Sequence, residues 1–235
     1  SLEDVAEIGQ NILAPLKANG NDLNNFDSLN EEQKQLILKN LKESSPGLER
    51  SLSELELGEI ELSKMPTFGV VSQLKEAETT LKDSLPEIKK ILKQVVLVAK
   101  ILPSVAGYPE EQTYLFLLQN NTELRPTGGF WGSYGILRVE NGEVVEFKTD
   151  DTYNLDSNSD IEVTPPWQLP KLINPDMKSW YFRDANWCVR FPTSAEKAIW
   201  FYNKESGQDL NINGVIAITP DVIHDLLSLV GTIMA

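Results

Sequence analysis

The sequence has few of the residues that most often build metal and nucleophilic sites. Its 235 residues include one cysteine, Cys188, and one histidine, His224. A single cysteine excludes an intramolecular disulfide and a cysteine-based zinc site. A cysteine–histidine nucleophile pair needs supporting residues, which neither neighbourhood supplies. We therefore expect a buried thiol and a histidine on a helix face.

Positive charge and long apolar runs are also scarce. The formal net charge is -14, and so acidic a chain does not neutralise phosphates over a broad surface. Nucleic acid is therefore not expected as a partner. No run of about 18 apolar residues occurs, so we expect any membrane anchor to lie outside this chain. Because Ser1 is not an initiator methionine and the chain ends on apolar LLSLVGTIMA, we expect a longer protein, truncated here at its C-terminal end.

Residues 1–109 have the pattern of an acidic helical arm. Apolar residues recur at helical spacing, and acidic residues prevail on the outer faces. This pattern predicts a helical bundle or stalk, which is a spacer or an arm that binds a protein partner. The first helix is expected to carry Leu2, Val5, Ile8, Ile12, Leu13 and Leu16.

Capping residues and prolines predict where the helices of this arm begin. Ser28 with Glu31 has the spacing of a capping box. Ser45 followed by Pro46 predicts a second start, because proline suits the first helical position. Pro86 predicts a kink or a further start.

Residues 110–235 have the sequence pattern of an α/β domain with a mixed sheet. A YLFLL strand is followed by a hairpin whose turn is Asn141-Gly142, the strongest short hairpin signal. A long irregular loop is expected over 153–180. A helix from Thr193 or Ser194 to Tyr202, a strand over 214–218 and a helix from Pro220 complete the domain.

The segment QNNTELRPTGGFWGSY, from Gln119 to Tyr134, is the strongest candidate for a functional site. It follows a buried strand, and ligands of open α/β sheets lie at the carboxyl ends of strands. An arginine here suits phosphate or carboxylate, and neighbouring glycines let backbone N–H groups approach an anion. The ligand-binding candidates in this segment are Asn121, Glu123, Arg125, Gly128 and Gly129.

The same segment is also consistent with a structural corner. In that interpretation Arg125 pairs internally with Glu123, and the asparagines bind turn backbone groups. Its glycines match neither a dinucleotide-binding nor a P-loop pattern.

Two further groups of polar residues are candidates for the site. Asp151, at the end of the second hairpin strand, is a candidate Mg²⁺ ligand or the start of an Asx turn. Adjacent strand residues point to opposite faces, so Asp150 and Asp151 cannot both face the site. Arg183 and Arg190 could complete an anion pocket or pair with nearby carboxylates.

Three blocks of the chain resemble a bacterial extracytoplasmic family known as domain of unknown function 4012. They read YLFLLQNNTELRPTGGFWGSYGILRVENGEV, RDANWCVRFPTSAEKAIWFY and NINGVIAITPDVIHDLLSLVGTI. The resemblance covers roughly residues 108–233. It implies a protein at the bacterial cell surface that is anchored in the membrane by a segment before Ser1.

The order of elements is also similar to the LytR-CpsA-Psr family, which attaches glycopolymers from polyprenyl-pyrophosphate carriers to the wall. That similarity implies a LytR-CpsA-Psr-like fold, with Arg125 matching the family's loop arginine and Asp151 its strand-end aspartate. The sequence departs from this family at Asp150, where an arginine is usual, and from both families at Asn213, where an aspartate is usual. An acidic residue at position 150 would repel a pyrophosphate.

These observations lead to two functional hypotheses. In the first, the α/β domain of a cell-envelope protein binds a polyprenyl-phosphate-linked glycan or a cell-wall polymer, with or without glycopolymer phosphotransfer. In the second, it is a non-catalytic surface assembly or adhesion module with a helical spacer.

Overall fold

A computed structural model describes residues 6, 8–10, 29–64 and 72–230. The chain divides into two compact units. The first, here called the helical unit, comprises Ser1–Glu111 and Val139–Glu143; the second, the α/β unit, comprises Gln112–Arg138 and Val144–Ala235. No helix within the described ranges is both long and apolar enough to cross a membrane.

Two long helices form most of the described part of the helical unit, which also includes residues 8–10 and the hairpin tip Val139–Glu143. They are α1 (Glu31–Lys64) and α2 (Ser72–Val105). They pack through a core of Leu48, Leu92, Val96 and Ala99. Pro46 and Pro86 both lie inside these helices, so the helix start predicted at Ser45-Pro46 is wrong, and so is the fresh start that was one of the two alternatives at Pro86.

The cap of α1 lies close to the predicted one but uses different residues. The Asn30 N–H donates to the Gln33 side chain at 3.0 Å, and the Gln33 N–H donates to Asn30 Oδ1 at 2.9 Å. This reciprocal pair is a capping box. Ser28, the predicted cap, lies outside the described residues, while Glu31 is the first residue of the helix.

The α/β unit contains a four-stranded mixed sheet, as the sequence predicts. The strands are β1 (Gln112–Asn120), β2 (Phe130–Glu140), β3 (Glu143–Asp151) and β4 (Gly214–Ile218), in the order β3-β2-β1-β4. β4 lies parallel to β1. The predicted hairpin turn is confirmed, because Asn141 and Gly142 have φ values of 50° and 84°, as a type I′ turn requires.

In the described residues, four α-helices and a single 3₁₀ turn (Phe182–Asp184) accompany this sheet. The predicted loop over 153–180 contains two short ones, α3 (Thr152–Ser157) and α4 (Gln168–Leu172). The helix expected from Thr193 or Ser194 begins earlier, as α5 (Phe191–Glu205), because Pro192 suits its first turn. The last is α6 (Pro220–Val230), which begins at the predicted residue.

One face of the sheet and α5 enclose the core of the α/β unit. Leu115, Leu117 and Trp131 come from the sheet, while Ala198 and Phe201 come from α5. Asn213 fixes the approach to β4, since its side chain accepts the Thr113 N–H at 2.8 Å and its own N–H donates to the Thr113 carbonyl at 2.8 Å. Asn213 therefore has a structural use between β1 and β4.

Candidate functional site

The glycine-rich loop is a compact corner between β1 and β2. The Gly128 N–H donates to the Arg125 carbonyl at 2.9 Å, and the Phe130 N–H donates to the Glu123 carbonyl at 3.1 Å. The Thr122 N–H donates to the Asn120 side chain at 3.1 Å. These backbone donors, which could have cradled an anion, are used inside the turn.

Gly129 is required where the corner closes on β1. A Cβ at this position would lie 2.6 Å from the Asn120 carbonyl oxygen, which is backbone and cannot move aside cheaply. We therefore expect Gly129→Ala to lower the free energy of unfolding by about 1–3 kcal/mol, as measured by urea denaturation. Gly132→Ala is the matched control, because its Cβ would meet the Phe130 ring at an ordinary 3.6 Å. Equal stability of the two variants would contradict this account of the corner.

Arg125 lies in a pocket of carboxylates. Its guanidinium donates to Glu123 Oε1 at 2.7 Å and to Asp184 Oδ1 at 3.1 Å, and lies over the Phe130 ring at 5.2 Å. The Arg125 side chain is 11% exposed and that of Asp184 is 5% exposed. Arg125 thus joins the corner to the segment that precedes α5, and its N–H groups already bind two carboxylates.

Arg183 is held by a second set of partners. It donates to Asp156 Oδ2 at 2.8 Å, and its Nε lies 3.7 Å from Asp184 Oδ2. Its guanidinium also lies over the rings of Tyr153 and Tyr181, at 4.8 and 5.2 Å from their centroids. Such stacking leaves the planar fork little freedom to reach a ligand.

Two buried carboxyl groups, Asp156 and Glu205, complete the cluster. Glu205 Oε1 accepts the Phe182 N–H at 3.1 Å, while Asp156 Oδ2 binds Arg183. The remaining oxygens, Asp156 Oδ1 and Glu205 Oε2, are buried and lack a partner if both groups are ionised. The two groups interact strongly enough to shift each other's pKa, so we infer that one shared proton between the two side chains satisfies both oxygens.

The pKa values of Asp156 and Glu205 are consistent with one shared proton. Burial raises the pKa of Glu205 to about 9, and the interaction with the Asp156 side chain and its negative charge acts in the same direction. Burial raises the pKa of Asp156 to about 6, against the Glu205 hydrogen bond and the Arg183 charge, which lower it. Burial also raises the pKa of Asp184, although Arg125 and Arg183 oppose the shift. At neutral pH the proton therefore resides mainly on Glu205.

Together these six side chains form what we call the corner network: Glu123, Arg125, Asp156, Arg183, Asp184 and Glu205. With Glu205 protonated, two guanidinium groups face three carboxylates, and the network has a formal charge of about -1. Such a cluster is suited to holding segments together. It offers no excess positive charge to an anionic ligand.

The remaining predicted site residues are dispersed. The Asn121 amide donates to Asp221 at the start of α6. Gly128 occupies a positive-φ position, at 118°, inside the corner. Arg190 is the exposed residue that precedes α5, and no ion pair or hydrogen bond joins its side chain to another described residue. The structure therefore brings Glu123, Arg125 and Arg183 together, but not Arg190.

Asp151, the candidate metal ligand, caps α3. Its Oδ1 accepts the Tyr153 N–H at 2.7 Å, which is the Asx arrangement named above as the alternative. Asp150 accepts from the Asn154 amide and the Asp151 N–H, and these bonds lower its pKa. Among the described residues, no group of three or more histidine, cysteine, aspartate or glutamate side chains could hold a metal ion.

Sequence reasoning missed Asp156 and Glu205 as members of this region, and it singled out Asn186 only as part of the polar run Arg183–Trp187. Asn186 is buried, and its amide donates to the Gly129 carbonyl at 2.8 Å, which ties the RDANW segment to the corner. Glu205 could have been found from helical periodicity. It follows Ala198, Phe201 and Tyr202 on the apolar side of α5, and a lone acid there indicates a buried partner.

Comparisons with known proteins identify a family without naming a function. No curated protein matches the chain, and no solved structure matches it. The similarity to the LytR-CpsA-Psr family therefore stays a hypothesis. One family model, described as "Protein of unknown function (DUF4012)", matches residues 109–235, which is more than half of the chain and includes all of the α/β unit. The chain therefore belongs to the DUF4012 family.

Proposed function

We propose that this chain is a non-catalytic assembly or adhesion module of the bacterial cell envelope. The α/β unit carries its contact surface, and the helical unit acts as a spacer. The extracytoplasmic location is part of the proposal and follows from the family resemblance.

One observation carries the proposal: both arginines of the corner network bind carboxylates. Arg125 is nearly buried between Glu123 and Asp184, and Arg183 binds Asp156. A phosphotransferase needs positive charge directed at the transferring group. Here that charge is already compensated, and Asp150 adds negative charge where the ligase family has an arginine.

The segment between Val163 and Ser179 is the part of the α/β unit best suited to a partner. The Trp180 N–H donates to the Val163 carbonyl at 2.7 Å, and the Ser179 hydroxyl accepts the Val163 N–H at 2.9 Å. These two hydrogen bonds hold the ends of the segment together, and Trp167, Leu172 and Ile173 between them are all exposed. Neighbouring exposed apolar residues mark interaction surfaces, and tryptophan is among the residues that most often dominate binding energy at protein interfaces. We call this segment the Trp167 loop.

The first experiment separates this proposal from anion binding. Binding of a polyprenyl-phosphate analogue is measured by calorimetry with and without Mg²⁺, for the wild type and for Arg190→Ala. We expect no binding in any case, because Arg125 and Arg183 are engaged. Saturable binding by the wild type would contradict the proposal and restore the ligand hypothesis.

The second experiment tests the Trp167 loop. Envelope fragments from the bacterium that makes the protein are incubated with the wild type, with Trp167→Ala/Leu172→Ala and with the control Leu124→Ala, which removes another exposed leucine. We expect sedimentation with the fragments to fall about tenfold or more for the double variant and to be unchanged for the control. We also expect protease treatment of the fragments to abolish the sedimentation of the wild type with them. Undiminished binding after protease would instead indicate a cell-wall polymer.

A further inference from the structure

One arginine contacts both ends of the chain segment that carries the Trp167 loop. Arg183 donates to Asp156 Oδ2 of α3 at 2.8 Å, and its guanidinium lies over the rings of Tyr153, also in α3, and of Tyr181. Tyr153 and Asp156 precede the Trp167 loop in the sequence, while Tyr181 and Arg183 follow it. The chain between them therefore leaves the core and returns to it at one place, where Arg183 contacts both ends.

The backbone beside Arg183 is held by a second acid, Glu205 of α5. Glu205 Oε1 accepts the Phe182 N–H at 3.1 Å, so Asp156 and Glu205 hold two consecutive residues of the 3₁₀ turn. The two acids are 4% and 5% exposed. Asp156 Oδ1 and Glu205 Oε2 have no hydrogen-bond partner unless the acids share a proton. The attachment of this turn therefore depends on one proton as well as on Arg183.

The charged groups around this pair cannot replace the proton. Glu205 interacts with Asp156 of α3, with Arg183 of the 3₁₀ turn and with the Tyr134 hydroxyl of β2, while Asp184 adds negative charge beside Asp156. Arg183 is the one cation among these groups. When the proton leaves, two buried carboxylates share this one guanidinium, and each keeps an oxygen without a donor.

The part of the chain that the pair holds has little apolar core of its own. Residues 153–181, here called the latched segment, are all described, and their buried apolar side chains are Leu155 and Leu169. Most of the core of the α/β unit comes instead from the sheet and from α5. Segments with few buried apolar contacts open at a lower free energy than the core to which they are attached. Repulsion between the two carboxylates is therefore relieved most cheaply by detaching the latched segment.

We propose that Asp156 and Glu205 form a proton-controlled latch that holds the latched segment, and with it the Trp167 loop, on the α/β unit. With the shared proton in place, both acids hold the 3₁₀ turn, and the Trp167 loop keeps its base. Loss of the proton increases the population in which the latched segment is detached while the sheet and α5 stay folded. The latch itself is independent of the proposed function, and only its consequence for partner binding rests on that function.

Glu205 sets the direction in which the latch responds to pH. Its pKa is raised from 4.5 to about 9 in the closed latch, and exposure to water returns it toward 4.5. Opening therefore releases a proton between these values, and its equilibrium constant rises by up to about tenfold per pH unit before it levels off near the upper value. Asp156 acts in the same direction at lower pH, because its pKa is also raised.

Hydrogen exchange of the full chain, without any partner, tests the latch. Protection of the backbone amides is measured by mass spectrometry at pH 6, 7 and 8 and corrected for the intrinsic exchange rate. In the wild type we expect protection of the latched segment to fall by up to about tenfold per pH unit and to stay below that of β1 and β2. In Glu205→Gln, which carries a donor at every pH, we expect it to be nearly constant.

Glu196→Gln is the matched control, because it makes the same change at an exposed position of α5 and should behave like the wild type. Circular dichroism checks that each variant retains its secondary structure. A wild-type protection that does not change with pH, or a pH dependence that persists in Glu205→Gln, would overturn the proposal. Equal protection of the latched segment and of the two strands would overturn it as well, because the segment would then be released by global unfolding alone. A failure to find a partner for the Trp167 loop would count against the proposed function and leave these outcomes unchanged.

Discussion

Arg125→Ala is expected to destabilise the α/β unit by about 3–5 kcal/mol, since removing one member of a buried ion pair leaves its partner uncompensated. Asp184 would keep only the more distant Arg183 contact, at 3.7 Å, in a nearly closed environment. All five tryptophans lie in the α/β unit, so their fluorescence during urea denaturation reports the unfolding of this unit alone.

Arg190→Ala is the control for this prediction. It removes the same side chain from an exposed position in the same unit, and we expect a change within about 0.5 kcal/mol. If Arg125→Ala were as stable as Arg190→Ala, or more stable, the corner network could not be what stabilises this part of the fold. A stabilising substitution is instead what a ligand-binding arginine would produce.

Glu205→Gln is expected to remove most of the pH dependence of the stability of the α/β unit. Glu205 has an ordinary pKa of 4.5, which the folded chain raises to about 9, so unfolding releases a proton between these values. The free energy of unfolding therefore falls as pH rises through this window, by up to about 1.4 kcal/mol per pH unit. Asp156 contributes with the same sign at lower pH, because its pKa is also raised.

A glutamine mimics the protonated acid at every pH. It can accept the Phe182 N–H and donate to Asp156, so we expect Glu205→Gln to match the wild type near pH 5 and to exceed its stability at pH 8. The measurement is a series of urea denaturations between these values. Glu196→Gln, an exposed position on the same helix, should keep the wild-type slope. A wild-type stability that rises from pH 5 to pH 8 would contradict a shared proton on the carboxyl pair.

Local signals in the sequence predicted much of the architecture. The Asn141-Gly142 turn, the strand at Gly214–Ile218 and the helix from Pro220 each depend on neighbouring residues, and each is confirmed. The helix start at Ser45-Pro46, and the fresh start that was one alternative at Pro86, were wrong because a local proline signal cannot reveal how firmly α1 packs on α2. Tertiary contacts decided those positions.

The candidate site was harder to predict because its charges are distant in sequence. Glu123 was correctly named as a possible partner of Arg125, since the two are close in the chain. The pairings of Arg125 with Asp184 and of Arg183 with Asp156 join residues 59 and 27 positions apart. An isolated arginine in a glycine-rich loop therefore has the same sequence pattern whether it binds a ligand or a buried aspartate. Three-dimensional proximity distinguishes the two.

The most direct test of the corner network is the coupling energy between Arg125 and Asp184. A double-mutant cycle compares Arg125→Ala, Asp184→Ala and the combined variant with the wild type by urea denaturation. If the two side chains stabilise the fold through each other, the single changes are each costly, the combined change costs less than their sum, and the coupling is about 2 kcal/mol or more. Strictly additive effects, with a coupling near zero, would show that Arg125 is held for another purpose and would contradict the account.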